Sequence, residues 1–153
     1  MIVPSIDILG GRAVQLRGGR HPVLEVGDPE VLAEKLSRAG EIAVVDLDAA
    51  LGKGSNKEIV RRIIARYPCR VGGGIRSREL ALEYLDLGAQ AVMIGTKANP
   101  EFLAEFPAER LIAALDTNNE KIMVEGWTKA TEADLFARIE ELKPYVEIGR
   151  AHV

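Results

Sequence analysis

Five short apolar runs, each closing on an aspartate or a glycine, alternate along this chain with amphipathic segments, and that alternation narrows the fold more than any other feature. Val3 to Asp7, Ile42 to Leu47, Cys69 to Gly72, Ala91 to Ile94 and Leu111 to Leu115 read as strands, nearly continuous in apolar residues as strands covered on both faces are. Helix signals stand between them. Asp28-Pro29-Glu30 supplies an N-cap and a first-turn proline ahead of Val31, Leu32 and Leu36, and Gly40 closes that segment. Asn56 opens a helix carrying Ile59, Val60, Ile63 and Ile64. Ser77 caps another with Leu80, Leu82, Leu85 and Leu87, stopped by Gly88. A short helix is expected near Pro100 to Phe106 and a longer one from about Thr131 to Leu142. Two extra strands complete the pattern: Ala13 to Leu16 after a Gly10-Gly11 turn, and Ile122 to Glu125 after a polar turn at Asn118-Asn119.

Strand–helix alternation of this kind means a parallel sheet covered by helices. The strand ends fall near positions 7, 47, 72, 95 and 116. A closed (β/α)8 barrel averages about 31 residues per unit, so 153 residues supply about five units of eight. A doubly wound sheet of five strands has the same period. The choice between them falls to the strand ends.

Composition removes other classes. The chain is 47% apolar and 28% charged with a net charge of −3, the balance of one globular domain rather than of a disordered or collagen-like chain. No run approaches the ~18 apolar residues of a membrane span, and MIVPSID lacks a signal-peptide pattern. One cysteine, Cys69, builds neither a disulfide framework nor a zinc site. These features predict a cytoplasmic protein with no membrane partner. No basic stripe is present to neutralise phosphates, so no nucleic-acid partner is expected.

In either fold, chemistry sits beyond the carboxyl ends of the strands. Those ends carry Asp7, Asp46 and Asp48, Gly72 to Gly74, Gly95-Thr96, and Asp116. Asp7 and Asp116 are candidates for a general acid and base that converge across a barrel mouth; the bland alternative is that each forms a turn or caps a helix. Asp46 and Asp48 read as loop-holding residues. VGGGIRS is more specific: glycines after a buried strand allow close backbone approach, and the helix start that follows attracts an anion. Phosphate is the natural ligand, with Gly95-Thr96 adding donors at the next strand end. A tight turn without ligand is the alternative. The spacing matches neither a dinucleotide fingerprint nor a Walker A motif. Arg17 and Arg76 suit an anionic substrate group, or are solvated. Trp127 suits stacking on a heteroaromatic ring, or packs locally. His21 reads as an exposed loop residue, Cys69 as a buried small hydrophobe, and the Arg61-Arg62 and Glu140-Glu141 pairs as solvated helix faces.

Taken in series, PSIDILGGRAVQLRGG, VVDLDAA, VGGGIR, VMIGT and ALDT followed by VEGW resemble the phosphoribosylformimino-5-aminoimidazole carboxamide ribotide isomerases of histidine biosynthesis. The resemblance runs in order from Met1 to about Glu147. The sister cyclase subunit of imidazole glycerol phosphate synthase shares VDLDA and VGGGIR, while IGT favours the isomerase. Some isomerases of this kind also serve tryptophan synthesis, which the sequence leaves open. The resemblance implies a (β/α)8 barrel and an Amadori rearrangement of a small bis-phosphorylated substrate, an aminoaldose becoming an aminoketose without cofactor or metal. Carried over by motif position, it makes Asp7 the general base and Asp116 the general acid. Gly73, Gly74, Gly95 and Thr96 would bind one phosphate, Arg17 and Arg76 would hold the anionic substrate, and Trp127 would stack near its ring.

Set against an eight-unit barrel, residues 1–147 read as its N-terminal part and 148–153 as a non-native tail. IGRAHV is what one reading frame of a common sequencing adapter encodes. The expectation is an incomplete barrel with unpaired first and fifth strands, exposed interior residues, self-association and no activity alone. The rival reading is a stand-alone half-barrel that binds phosphate or assembles with a second half.

Overall fold

The computed structural model describes residues 2–17, 21–118, 121–124 and 129–152. One sheet of ten strands organises them, in the order β3-β2-β1-β4-β5-β6-β7-β8-β9, with β10 also on β7. The strands are β1 (Ser5–Leu9), β2 (Arg12–Arg17), β3 (His21–Gly27), β4 (Ile42–Asp46), β5 (Cys69–Gly72), β6 (Ala91–Ile94), β7 (Leu111–Asn118), β8 (Lys121–Val124), β9 (Lys129–Asp134) and β10 (Ile148–His152). β1, β4, β5, β6, β7 and β10 run parallel, and β2, β3, β8 and β9 attach as antiparallel ribbons. Helices α1 (Pro29–Leu36), α2 (Leu47–Ala50), α3 (Lys57–Ile64), α4 (Arg78–Asp86), α5 (Pro100–Leu103) and α6 (Leu135–Leu142) fill the connections. Among the described residues no pairing joins the two ends of the sheet. This is an incomplete (β/α)8 barrel, open at its edge.

Local chemistry sets the helix starts. The Asp28 carboxylate accepts from the Glu30 and Val31 amides, with Pro29 in the first turn, and Ser77 and Asn99 accept from Leu80 and Phe102 in the same way. Such a cap is worth about 1 kcal/mol. Gly88 follows α4 at φ +111°, a left-handed conformation that suits glycine.

Strand parity then sorts the side chains onto two faces. Ile6, Ile8, Ile42, Val44, Val71, Val92, Ile94, Leu111 and Ala113 pack with Val60, Ile63, Ala81, Tyr84 and Leu103 into the core under the helices. On the opposite face Ala43, Ala91, Met93 and Ile112 form a second, smaller cluster with Val3 and Val45. Arg70 and Glu41 share the parity of that inner face and form a two-pronged ion pair with only 16% and 15% of their side chains exposed. Met93 and Ile112 are only 6% and 3% exposed, so the apolar interior residues expected to face water are buried.

The edges expected to be bare are also covered. β1 pairs with β2 on its outer side, and β7 holds both β8 and β10. Three elements depart from the sequence reading. His21 lies on β3, a strand not expected there, and Leu47 begins α2 rather than ending β4. The helix expected from Thr131 starts only at Leu135, because Lys129–Asp134 pairs with β8. Cross-strand pairing outweighs helix propensity in a short segment. Ile148–His152 runs parallel to β7 as a sixth parallel strand.

Candidate functional site

The register brings the strand ends to one edge. Asp7 is level with Val45, Val45 with Gly72, Gly72 with Met93, and Met93 with Ile112. Met93, Ile112 and Val45 belong to the inner-face cluster, so Asp7 shares the inner face with them. Position 116 lies four residues beyond Ile112 on the same strand and therefore has the same parity. Its backbone is level with Met123 of β8 and His152 of β10. The Asp116 and Arg17 side chains, and Trp127 entirely, lie outside the described residues. Asp7 is half-buried and accepts a long hydrogen bond from the Ser5 hydroxyl at 3.4 Å.

One residue further along these strands, a polar cluster ties the β1–β2 turn to the connection between β4 and α3. Asp46, 2% exposed, accepts from the Ala49 amide at 3.1 Å, the Asn56 amide at 2.6 Å and the Asn56 side-chain nitrogen at 2.8 Å. The Asp48 carboxylate accepts from that same Asn56 nitrogen at 2.7 Å and from the Gly10 amide at 2.6 Å. The Gly11 amide donates to the Asn56 side-chain oxygen at 2.9 Å. Asp46 and Asp48 hold loop structure, as the sequence suggests. Asn56 escaped notice as more than a helix opener; its side chain makes no cap bond to α3 and turns to the loops instead.

The glycine loop packs on this cluster. A Cβ on Gly73 would lie 2.6 Å from the Asp46 nitrogen, and one on Gly74 would lie 2.5 Å from the Ala49 Cβ. Both residues also have positive φ, +94° and +68°, so the chain's own packing and conformation require glycine at both. Gly95 differs, with nothing nearer than the Ala114 carbonyl oxygen at 3.6 Å. Gly95 and Thr96 are exposed, and the Gly95 carbonyl accepts from the Ala98 amide at 2.8 Å, turning the chain toward α5. Arg76 reaches back across the loop: its guanidinium donates to the Ala49 and Ala50 carbonyls at 2.9 and 2.8 Å. Those are C-terminal carbonyls of α2; the Ala49 carbonyl also accepts from the Gly52 amide at 3.2 Å, so Arg76 adds to the turn that closes the helix.

The strongest pKa perturbations lie away from this edge. Burial, aided by the Glu41 charge, pushes the Cys69 thiol up to about 12. Burial and the Asp46 charge do the same for the Tyr84 hydroxyl, also to about 12. Arg61 and Arg62, read as a solvated helix face, are partly exposed and also bridge helices, Arg61 to α4 through Glu83 and Arg62 to α1 through Glu30, while Glu58 pairs with Arg61 within α3. Among the described residues no three His, Cys, Asp or Glu side chains gather to hold a metal ion, and no helix is long and apolar enough to cross a membrane.

Comparison with known proteins identifies the family. Residues 1–148 match the family described as histidine biosynthesis protein. The chain is 35% identical to a 1-(5-phosphoribosyl)-5-((5-phosphoribosylamino)methylideneamino) imidazole-4-carboxamide isomerase of Methanosphaera stadtmanae, covering 100% of this chain and 68% of that protein. A protein of the same name from Gemmatimonas aurantiaca is 35% identical over 92% of this chain and 64% of its own length. Another, from Methanothermobacter thermautotrophicus, is 39% identical over 84% of this chain and 59% of its own. The chain thus spans about two thirds of the length of the relatives it matches. By its residues, its strand order and these matches, the chain belongs to the histidine biosynthesis protein family.

Proposed function

We propose that this chain carries the acid/base pair and one phosphate subsite of an aldose–ketose isomerase acting on a bis-phosphorylated ribosyl-aminoimidazole carboxamide. The observation that carries the reading is the register line from Asp7 to Ile112, with position 116 on the same parity and the glycine loop at the same edge. Asp116 protonates the ribose ring oxygen as the bond from C1 to that oxygen breaks, leaving a protonated imine between C1 and the substrate nitrogen. Asp7 takes the proton from C2, giving an enolamine, and proton return to C1 with loss of the C2 hydroxyl proton yields the aminoketose. The exchange is proton transfer throughout and requires no cofactor. Exposed Gly95 and Thr96 with Gly73 and Gly74 hold one phosphate, with the nearby start of α4 favouring its charge. Arg17 and Trp127 contact the rest of the substrate.

Because the relatives are longer, the test joins residues 1–147 to the C-terminal third of the Methanosphaera relative and follows isomerisation of the bis-phosphorylated substrate. Turnover is expected in the joined protein and not in the 153-residue chain alone. General acid–base groups contribute typically 10²–10⁴-fold, so Asp7→Asn and Asp116→Asn should each lower kcat by about that factor with folding unchanged. A joined barrel that folds and binds phosphate yet never isomerises overturns the reading in favour of a phosphate-binding half-barrel module.

A further inference from the structure

Asn56 is 9% exposed, and every hydrogen-bonding atom of its side chain is directed at a strand-end loop rather than at its own helix. Its oxygen takes the Gly11 amide, and its nitrogen donates to both Asp46 and Asp48. Asp48 in turn takes the Gly10 amide. Gly10 and Gly11 form the turn between β1 and β2, at φ +57° and +76°, so these bonds fix the hairpin that bears Asp7 on one strand and Arg17 on the other. On the other side, Asp46 is the surface against which Gly73 packs, and Asp46 starts the short helix whose last carbonyls hold Arg76. One amide therefore joins the turn that follows the acid/base strand to Asp46, against whose backbone the glycine loop packs. A buried amide with both ends satisfied fixes an orientation, since either end left unpaired costs a desolvated polar group.

We infer that Asn56 is a positioning residue, setting the Asp7 hairpin against the glycine loop in the reaction proposed above, on which this role rests. It touches no reacting atom. Asn56→Asp keeps the size and the acceptor for Gly11 but removes the donor and places a third carboxylate between Asp46 and Asp48. Hydrogen exchange of the 153-residue chain reads the geometry without any turnover. In Asn56→Asp the Gly10 and Gly11 amides should exchange about tenfold faster or more, while the β4 and β5 amides of Val44 and Val71 keep their rates. In the joined barrel the same substitution should lower kcat by about a hundredfold, the scale of a misplacement near 1 Å, with KM within about threefold. Asp48→Ala, which frees the Gly10 amide and removes one of the two bonds the Asn56 nitrogen donates while leaving its bond to Asp46, serves if Asn56→Asp does not fold; it should release the Gly10 amide and lower kcat in the same sense.

Uniform acceleration of all amides, unchanged exchange at Gly10 and Gly11, or unchanged kcat each overturns the role. An unsubstituted joined barrel without turnover overturns the isomerase reading itself, and that failure is visible before any variant is made.

Discussion

Gly73 and Asp46 are so closely packed that a single Cβ on the glycine would lie 2.6 Å from the Asp46 nitrogen and 2.7 Å from its carbonyl carbon. The partner is backbone, which cannot swing aside as a flexible side chain would. Gly73→Ala therefore combines overpacking with a strained φ of +94°, and should destabilise the chain by about 3 kcal/mol or more in urea unfolding. Gly95→Ala meets nothing nearer than 3.6 Å and should change stability by no more than about 0.5 kcal/mol. If Gly95 serves the phosphate, its added methyl will weaken binding of inorganic phosphate in a titration. An unchanged midpoint for Gly73→Ala would show that the loop is not packed as described.

Arg76 separates two roles in one side chain. Its two hydrogen bonds to the Ala49 and Ala50 carbonyls assign the guanidinium to loop structure, whereas the family resemblance assigns it to the substrate anion. Lysine keeps the charge but cannot reproduce a planar fork. Arg76→Lys is expected to cost about 1 kcal/mol of stability, because it breaks the two-pronged bond to Ala49 and Ala50 while the Ala49 carbonyl keeps the Gly52 amide. A variant with unperturbed unfolding and a raised KM would instead assign the guanidinium to substrate.

Cys69 and Tyr84 set the alkaline limit. Burial raises the thiol from 9.0 and the phenol from 10.0, each to about 12. Both groups are neutral in the folded chain and ionise earlier once unfolded. Their contribution to stability is therefore complete below pH 9 and is lost as pH climbs from there toward 12. Urea midpoints measured across that interval should fall with rising pH. Tyr84→Phe should flatten the part of the curve above pH 10, and Cys69→Ala the part that begins near pH 9.

The acid limb has the opposite sign. Hydrogen bonding from Lys57, followed by that from Arg61, holds the Glu83 carboxyl below its ordinary value. Its contribution is present at neutral pH and lost as acid protonates it. Glu83→Gln should remove part of the stability difference between pH 7 and pH 3, by a small amount because the pair is partly solvated.

The parallel core was legible because its signals are local and strong. Cys69–Gly72 and Ala91–Ile94 fall where their apolar runs end, and Asp28, Ser77 and Gly88 cap or stop helices through their own side chains or backbone. The misreadings arise where partners decide. His21–Gly27 carries a proline, weak evidence for a strand until β2 pairs with it. Lys129–Asp134 lacks a strand's apolar alternation and is extended because β8 lies alongside. At the site, the glycines and aspartates stood out by type and position. Asn56 did not, since an asparagine before a helix looks like a cap, and only the fold reveals that its amide is turned to Asp46, Asp48 and Gly11.

Ala43, Ala91, Met93 and Ile112 of the inner face are buried, and among the described residues α6 carries an exposed apolar stripe from which association is expected to start. Leu135 and Leu142 face the core at 7% and 1% exposure, while Phe136 and Ile139, one turn apart on another side, are 65% and 36% exposed. A phenylalanine and an isoleucine at i and i+3 form one apolar stripe on the helix surface. Phe136→Ser with Ile139→Ser removes the stripe without touching either buried leucine. Sedimentation velocity should show the parent chain associating as its concentration rises and the double variant remaining closer to monomer, with thermal unfolding little changed. Association that persists undiminished in the double variant would place the sticky surface on the β3 edge, where Leu24 and Val26 are 56% and 48% exposed, and the matching substitutions there would then be the ones to relieve it.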